Sequence, residues 1–476
     1  MADTDLQQAH LAELHELAAA LGVPGYRMLP RDELIAAIEE ARAGEPTEEE
    51  PAGDEAAEEE RAEEAPEEEP SAEETPEVAD ESVEGGPSEP SPAELAEEGE
   101  IVVEGAVVTE DEEPVEVDAA GTREPEEPTE VVMGVLDLMP QRFGFLRVHG
   151  LHPHPEDVYI SASQVRRCEL RPGDEVAGPV RQARRGERHR ALVHVDRVNG
   201  EEPLTAERPD FDALPPVLPE GRVPLDGDRN DVLSRAIDLF APLTLGQRVL
   251  VRSAPRSGRT TLLRGVVRAL DQAQDIRLVI LLVDERPEET TAWHEAVADS
   301  DAELAVAPAD LAPRDQVEVA ELALERSRRL AEDGGDVVLL VDSLSRLVQA
   351  AGDIAAAKRL FGSGRNLAGG GSLTVIATVL TDGSDPGEAE RAVATTESSS
   401  IALDPELAAA GIVPALRIAE CRVSNEEELR EPEELEAVRR LRTELSGLSP
   451  AEAAAELRAR IEASQSNAEL LGLAQG

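Results

Sequence analysis

Three short stretches of the 476-residue chain carry residue types that handle a nucleotide phosphate. In the first, an apolar β-branched run at 249–251 gives way to an Ala-Pro-x-x-Gly turn, and Arg259-Thr260-Thr261 opens a helical pattern at 262–270. Strand, glycine-bearing loop and helix start is a geometry that points backbone amides at an anion, and a Ser or Thr hydroxyl there can ligate Mg²⁺. The motif asks for Gly-Lys-[Ser/Thr]; this chain has Gly258-Arg259-Thr260. The second and third stretches are apolar runs that end on carboxylates, at Asp284-Glu285-Arg286 and at Asp342-Ser343. A carboxylate after a buried strand is what a Mg²⁺ site beside a phosphate loop needs, and Glu285 is suited to orient and deprotonate an attacking water. Alone, Asp342 reads equally as a helix N-cap and Glu285 as a surface acid. In this order after the loop, they predict a nucleotide site with Glu285 and Asp342 catalytic and Thr260 and Asp342 on the metal.

Such a site needs parallel strands to hold it. From residue 236 onward, apolar runs at 248–251, 278–283, 337–341 and 373–380 alternate with helical stretches, which predicts an α/β domain over 236–476 with a central parallel sheet. From Pro432 the pattern is helical to the end. Residues 205–235 are proline-rich, with little periodicity, and read as a connector.

Residues 131–204 differ. Five short β-rich runs separated by turn residues (131–138, 143–148, 158–160, 175–180 and 189–195) predict an all-β closed barrel of oligonucleotide-binding type. Three of the chain's five Phe and two Tyr fall between 143 and 159. Alternation puts Phe143 and Phe145 on one face, with Arg142 and Arg147 beside them and Tyr159 in the next strand. Exposed aromatics stack on bases and arginines hold phosphates, which favours an RNA platform over two core phenylalanines. Arg166, Arg167, Arg181, Arg184, Arg185, Arg188 and Arg190 add local basic charge.

That charge is set against a formal net charge of −57, from 102 acidic and 45 basic residues. The excess is local: the stretch 45–130 holds 36 acidic residues against two basic ones, more than half of the net charge, with many of the 34 prolines. Residues 44–130 cannot bury enough apolar surface to offset their ordering entropy and are expected to form a disordered linker. It serves as a spacer, or as an acidic tract that occupies the basic RNA site in cis. Before it, residues 1–43 form a small helical module, with Leu6, Leu11, Leu14, Leu17 and Leu21 in one helix and Leu34, Ile35 and Ile38 in a second. It is either a docking module or a helical hairpin cap. Two cysteines, Cys168 and Cys421, make no disulfide framework and read as inert core thiols. No basic-then-apolar leader and no membrane-length apolar run occur, so the expectation is a soluble cytoplasmic protein with no membrane partner.

The runs FGFLR (143–147), DVYISASQVRR (157–167), RPDFDALPP (208–216), VDERPEE (283–289), VLLVDSLSRL (338–347), FGSGRN (361–366) and GGSLTVIAT (370–378) together resemble the bacterial transcription termination factor Rho family. The resemblance spans residues 5–42 and 131 to the C-terminus. It implies a RecA-like ATPase core behind a cold-shock-type RNA-binding barrel, with ATP and Mg²⁺ as cofactors. The implied partners are single-stranded RNA, the RNA polymerase complex and further copies in a homohexamer, or a mixed ring with another Rho. By position it implies ATP contacts at Thr244, Leu245, Gly246, Gln247, Arg248, Val249, Arg256, Ser257, Gly258, Arg259, Thr260, Thr261 and Arg286. It implies RNA contacts at Arg142, Phe143, Gly144, Phe145, Leu146, Arg147, Asp157, Val158, Tyr159, Glu187, Arg188 and His189, where the family carries an aromatic at the last.

Four departures fall on the motor. Arg259 replaces the loop lysine, and its planar head is not an ammonium point charge. The glycine-rich pore loop before FGSGRN is missing. Residues 391–401 hold no lysine. Asn425 stands where the family has its trans-acting arginine, and Arg422 is near but at the wrong spacing. Two readings follow: an ATP-driven RNA translocase that releases polymerase, or a Rho-derived RNA-binding regulator with a weakened motor. A rotary-ATPase-type subunit is a weaker third, since it does not account for the FGFLR barrel. Impaired hydrolysis with RNA binding intact is the expectation.

Overall fold

The computed structural model describes Ile35 and residues 130–203, 208–218, 221–273, 275–381 and 387–473. Apart from the helical Ile35, and Glu130 in the first strand, the module expected over 1–43 and the linker expected over 44–130 lie outside the described residues.

The barrel consists of β1 (Glu130–Leu138), β2 (Gly144–Arg147), β3 (Val158–Ile160), β4 (Glu175–Arg181), β5 (Arg190–Leu192) and β6 (Arg197–Val198). They pair in the order β1-β2-β3-β5-β4-β6, and β1 also pairs with β4, so the sheet closes on itself. Alternation along β1 drives this. Val132 and Leu136 turn inward to Leu146, Val158, Ile160, Val176, Val180 and Leu192, while Val131 and Met133 face out. Gly144 lets β2 leave β1 at close range: a Cβ there would sit 2.6 Å from the Asp137 carbonyl oxygen. The last strand expected, 189–195, is only Arg190–Leu192, and β6 and the helix Ala162–Arg167 were not foreseen. Ser161 and Gln164 cap that helix reciprocally, which seats Val165 and Cys168 in the barrel core.

Strands β7 (Pro216–Val217), β8 (Arg222–Val223) and β9 (Leu243–Thr244) and the helix Val232–Phe240 lead to the large sheet. Its strands are β10 (Arg248–Ser253), β11 (Ile276–Glu285), β12 (Glu303–Pro308), β13 (Asp336–Asp342), β14 (Arg365–Leu367), β15 (Ser372–Leu380), β16 (Ser399–Ala402) and β17 (Arg422–Val423). The main order is β12-β11-β13-β15-β10-β16-β17, parallel as far as β16. Residues 278–283 and 337–341 are buried throughout because both faces are covered. Leu278, Ile280 and Leu282 pack with Leu262 and Val266 of the helix Arg259–Asp271. Val279, Leu281 and Val283 pack with Val319 and Ala323 of the helix Pro313–Glu332 on the other face.

Barrel and sheet share contacts. Leu151, in the β2–β3 loop, is buried in the second of these clusters beside Phe211. Arg326 joins Glu303 of β12 at 2.7 Å to Glu175 of β4 at 2.8 Å. Both cysteines are free and buried, and burial pushes the Cys421 thiol up to about 11, so it is inert near neutral pH. No helix among the described residues is long and apolar enough to cross a membrane.

Candidate nucleotide site and nucleic-acid platform

In a parallel sheet the C-terminal strand ends share one edge, where open α/β folds place their ligands. The loop after β10, the end of β11 (Glu285) and the end of β13 (Asp342) therefore converge. Gly258 has φ +88° and no side chain caps the helix Arg259–Asp271 behind it, so its first-turn amides face the loop. Arg256 also takes a positive φ, +62°, and is exposed. Ser257 Oγ is buried with no hydrogen-bond partner. Thr260 is half-buried and Thr261 exposed at the helix start. An orphan hydroxyl beside free helix amides fits a phosphate.

The carboxylates are already engaged. Arg259 Nε lies 3.1 Å from Asp342 Oδ1. Its N–H is not aligned on any acceptor, so the contact is an ion pair without a hydrogen bond. Thr378 Oγ1 donates to the same oxygen at 2.9 Å. Burial raises the Asp342 pKa, and Arg259 and the Thr378 bond oppose the rise. Glu285, 5% exposed, accepts from Arg346 Nη1 at 2.7 Å. Arg286 is exposed and opens the helix Pro287–Ala296.

A cavity of 420 Å³ adjoins the loop, lined on one side by Ser257, Gly258 and Thr261 and on the other by Leu403, Ile412 and Val413. The apolar wall was missed in the sequence. Its only signal is a short apolar run after Gly411, without periodicity.

The other nucleotide residues inferred from the sequence sit elsewhere. Thr244 ends β9, Leu245, Gly246 and Gln247 connect it to β10, and Arg248 and Val249 open β10, whose far end leads into the phosphate loop. Four strand residues, 250–253, run between the two groups over about 13 Å. The first group has local duties. Gln247 Oε1 accepts from the Thr244 amide at 3.1 Å, and Arg248 Nη1 donates to the Gly364 carbonyl at 2.8 Å.

The motor departures take physical form. The helices Leu344–Ala351 and Ala355–Gly362 are joined by Gly352, Asp353 and Ile354 alone, too short for a pore loop. Asn425, at φ +56°, precedes the four-residue helix Glu426–Leu429. Arg422 is held by Glu397 at 3.1 Å, and Glu397 also takes Arg252 at 2.8 Å.

On the barrel, the aromatics assemble. Ring centroids are 5.9 Å apart for Phe143 and Phe145, 5.7 Å for Phe143 and Tyr159, and 6.1 Å for Phe145 and Tyr159. His189 joins at 5.0 Å from Phe145. None of the four is buried, which removes the core reading of the phenylalanines. Arg142 and Arg188 are exposed beside them.

Arg147 corrects the sequence reading. It is 7% exposed, donates to Asp157 at 2.6 Å and pairs with Asp137, so it does not project to a phosphate. Asp157 is 1% exposed and keeps one oxygen, Oδ1, without a partner. Gly144, Leu146 and Val158 are buried and shape the platform from beneath. Glu187 is exposed and tied to Arg181 at 2.6 and 2.8 Å. That pairing, with the Arg184 amide, lowers its pKa to about 2.

Comparison with known proteins agrees with this arrangement. The family "Rho termination factor, RNA-binding domain" matches residues 132–204, "ATP synthase alpha/beta family, nucleotide-binding domain" residues 234–363, and "Rho termination factor, N-terminal domain" residues 5–46. The transcription termination factor Rho of Bacillus subtilis is 38% identical over 66% of this chain and 78% of its own. The Rho of Aquifex aeolicus is 35% identical over 71% of this chain and 84% of its own, and that of Rhodopirellula baltica 35% identical over 71% and 70%. A solved type III secretion ATPase aligns at 21% identity with a TM-score of 0.46, covering 59% of this chain and 92% of its own, too loose a likeness to argue from.

Proposed function

The chain belongs to the transcription termination factor Rho family, and from that premise we propose that it is a Rho-like termination factor. It binds nascent single-stranded RNA on the barrel and takes a nucleotide at the edge of the parallel sheet. The observation that carries this is the half-exposed cluster of Phe143, Phe145, Tyr159 and His189 with Arg142 and Arg188 at its rim. Stacking serves any base, and the rim arginines take the backbone charge.

ATP is the proposed nucleotide. Its phosphates would lie on the amides after Gly258 and on Ser257 Oγ, and its base against Leu403, Ile412 and Val413. Mg²⁺, bound with it, would neutralise charge on the β- and γ-oxygens, held by Thr260 and Asp342. For Asp342 to serve, Arg259 has to leave it for the phosphates. For Glu285 to hold a water, Arg346 has to release it. These pairs favour a second reading alongside the first, in which the protein binds RNA as a regulator with a slow motor. RNA polymerase, and a homohexamer or a mixed ring with an intact Rho, are the partners that either reading needs. The site of action is the cytoplasm.

The test is RNA affinity and RNA-stimulated ATP turnover of the full chain. Phe143→Ala with Phe145→Ala is expected to weaken RNA binding at least about tenfold, since each stack is worth about 1–3 kcal/mol. Unchanged affinity would remove the platform. RNA-stimulated turnover absent from Arg259→Ala identifies a working motor, and turnover no higher than in that variant identifies the regulator.

A further inference from the structure

The β2–β3 loop carries His149, His152, His154 and Glu156 within eight residues, and neither the RNA platform nor the nucleotide site uses them. One ligand atom from each of His149, His154 and Glu156 lies within 4.8 Å of the others. His149 Nε2 and Glu156 Oε2 are 2.5 Å apart, and the two imidazole rings meet edge to face at 4.6 Å. His154 Nδ1 accepts the Glu156 amide at 3.2 Å, a long bond that a metal ion can replace. All three side chains are reachable from solvent.

We propose that His149, His154 and Glu156 form a binding site for a zinc-class divalent transition metal, with one coordination position left open. Two imidazoles and one carboxylate are a donor set that suits zinc and its neighbours. Magnesium and calcium prefer all-oxygen sets and are not expected here. The loop that carries the ligands is held along its length. Leu151 is buried in the core of the parallel-sheet domain, the Glu156 carbonyl accepts from Arg190 at 3.1 Å, and Asp157 is fixed by Arg147. Ligands on a pinned loop lose little entropy on binding. The same loop joins the strands that bear Phe145 and Tyr159, so the ion fastens the connection between the RNA platform and the sheet domain.

The test uses the full chain without a histidine tag. Calorimetric titration with Zn²⁺ is expected to show one ion per chain, and Co²⁺ at the same site to give the visible absorption of a four- or five-coordinate ion, bleached by added Zn²⁺. His149→Ala with His154→Ala, and separately Glu156→Gln, are expected to weaken binding by at least about tenfold, the least that losing even an outer-shell partner costs. Circular dichroism checks the fold. Should the double variant not fold, the single changes His149→Gln and Glu156→Gln carry the same expectation. No Zn²⁺ binding, or equal affinity in wild type and folded variants, would overturn the proposal and leave His149 and Glu156 as an exposed ion pair.

Discussion

Replacing Arg259 by alanine removes the cation that pairs with Asp342, whose side chain is 1% exposed. At 3.1 Å the two charges attract with about 5 kcal/mol at an effective dielectric of about 20. The net cost of unpairing a buried charge is about 3–5 kcal/mol. The low end applies, because Arg259 remains 16% exposed and its N–H is not aligned on the carboxylate. Arg259→Ala is therefore expected to cost about 3 kcal/mol at pH 8. Trp293, the single tryptophan, is 1% exposed in the sheet domain and reports that domain's unfolding. For a urea slope of about 3 kcal/mol/M the midpoint falls by about 1 M. Asp342 carries a raised pKa because of burial, so its contribution is fully present below the ordinary value of 3.8 and is lost as pH rises through the folded value. Losing Arg259 raises the folded value further, so the deficit narrows as the pH is lowered toward 3.8. Adding Asp342→Asn to Arg259→Ala removes the unpaired charge and recovers most of the midpoint. If the second change instead adds its own loss to the first, at the same size across pH, the ion pair does not hold the site closed.

Two further outcomes concern the barrel. Arg142→Ala is expected to lower the salt slope of RNA binding by about 0.7, one phosphate contact on a single strand. Arg147→Ala is expected to unfold or loosen the barrel, seen by circular dichroism, because it strands the buried Asp157. A folded Arg147→Ala barrel with a lower salt slope would restore Arg147 as a phosphate contact. Glu187 is expected to titrate at about 2 by carboxyl NMR, and Arg181→Ala to return it toward 4.5. The stability this depressed group contributes is present above 4.5 and lost as pH falls through about 2. No movement on Arg181→Ala would refute that pairing as the cause.

Buried parallel strands were legible because they must be apolar on both faces. The runs at 278–283 and 337–341 could be little else, and the acids that end them had to lie at one sheet edge. The Phe143–Phe145 alternation was legible for the same kind of reason. Period two also places Arg147 beside them, and there the pattern misleads. A long guanidinium can fold back, and its partners Asp137 and Asp157 each lie ten residues away on other strands or loops. The apolar wall of Leu403, Ile412 and Val413 left only the short apolar run after Gly411, since Leu403 follows β16 and Ile412 and Val413 lie in a loop with no period. Thr244–Val249 stand close to the phosphate loop in sequence, and the extended strand β10 runs between the two.

The arginines around the nucleotide edge explain why the two halves of the protein differ in readiness. Asp342 faces Arg259, Glu285 faces Arg346, and Glu397 faces both Arg252 and Arg422. The two carboxylates proposed for the nucleotide, Asp342 and Glu285, are each paired within the chain. On the proposed reading, a triphosphate has to supply enough attraction to draw Arg259 off Asp342, and hydrolysis has to free Glu285 as well. Each exchange trades one ion pair for another, so binding gains less than it would from an unpaired cation. The aromatic platform has no such debt. Phe145, Tyr159 and His189 are in contact with one another and open on one side, so bases stack without breaking a bond. RNA binding independent of nucleotide, with turnover limited by opening of the two ion pairs, follows from that asymmetry.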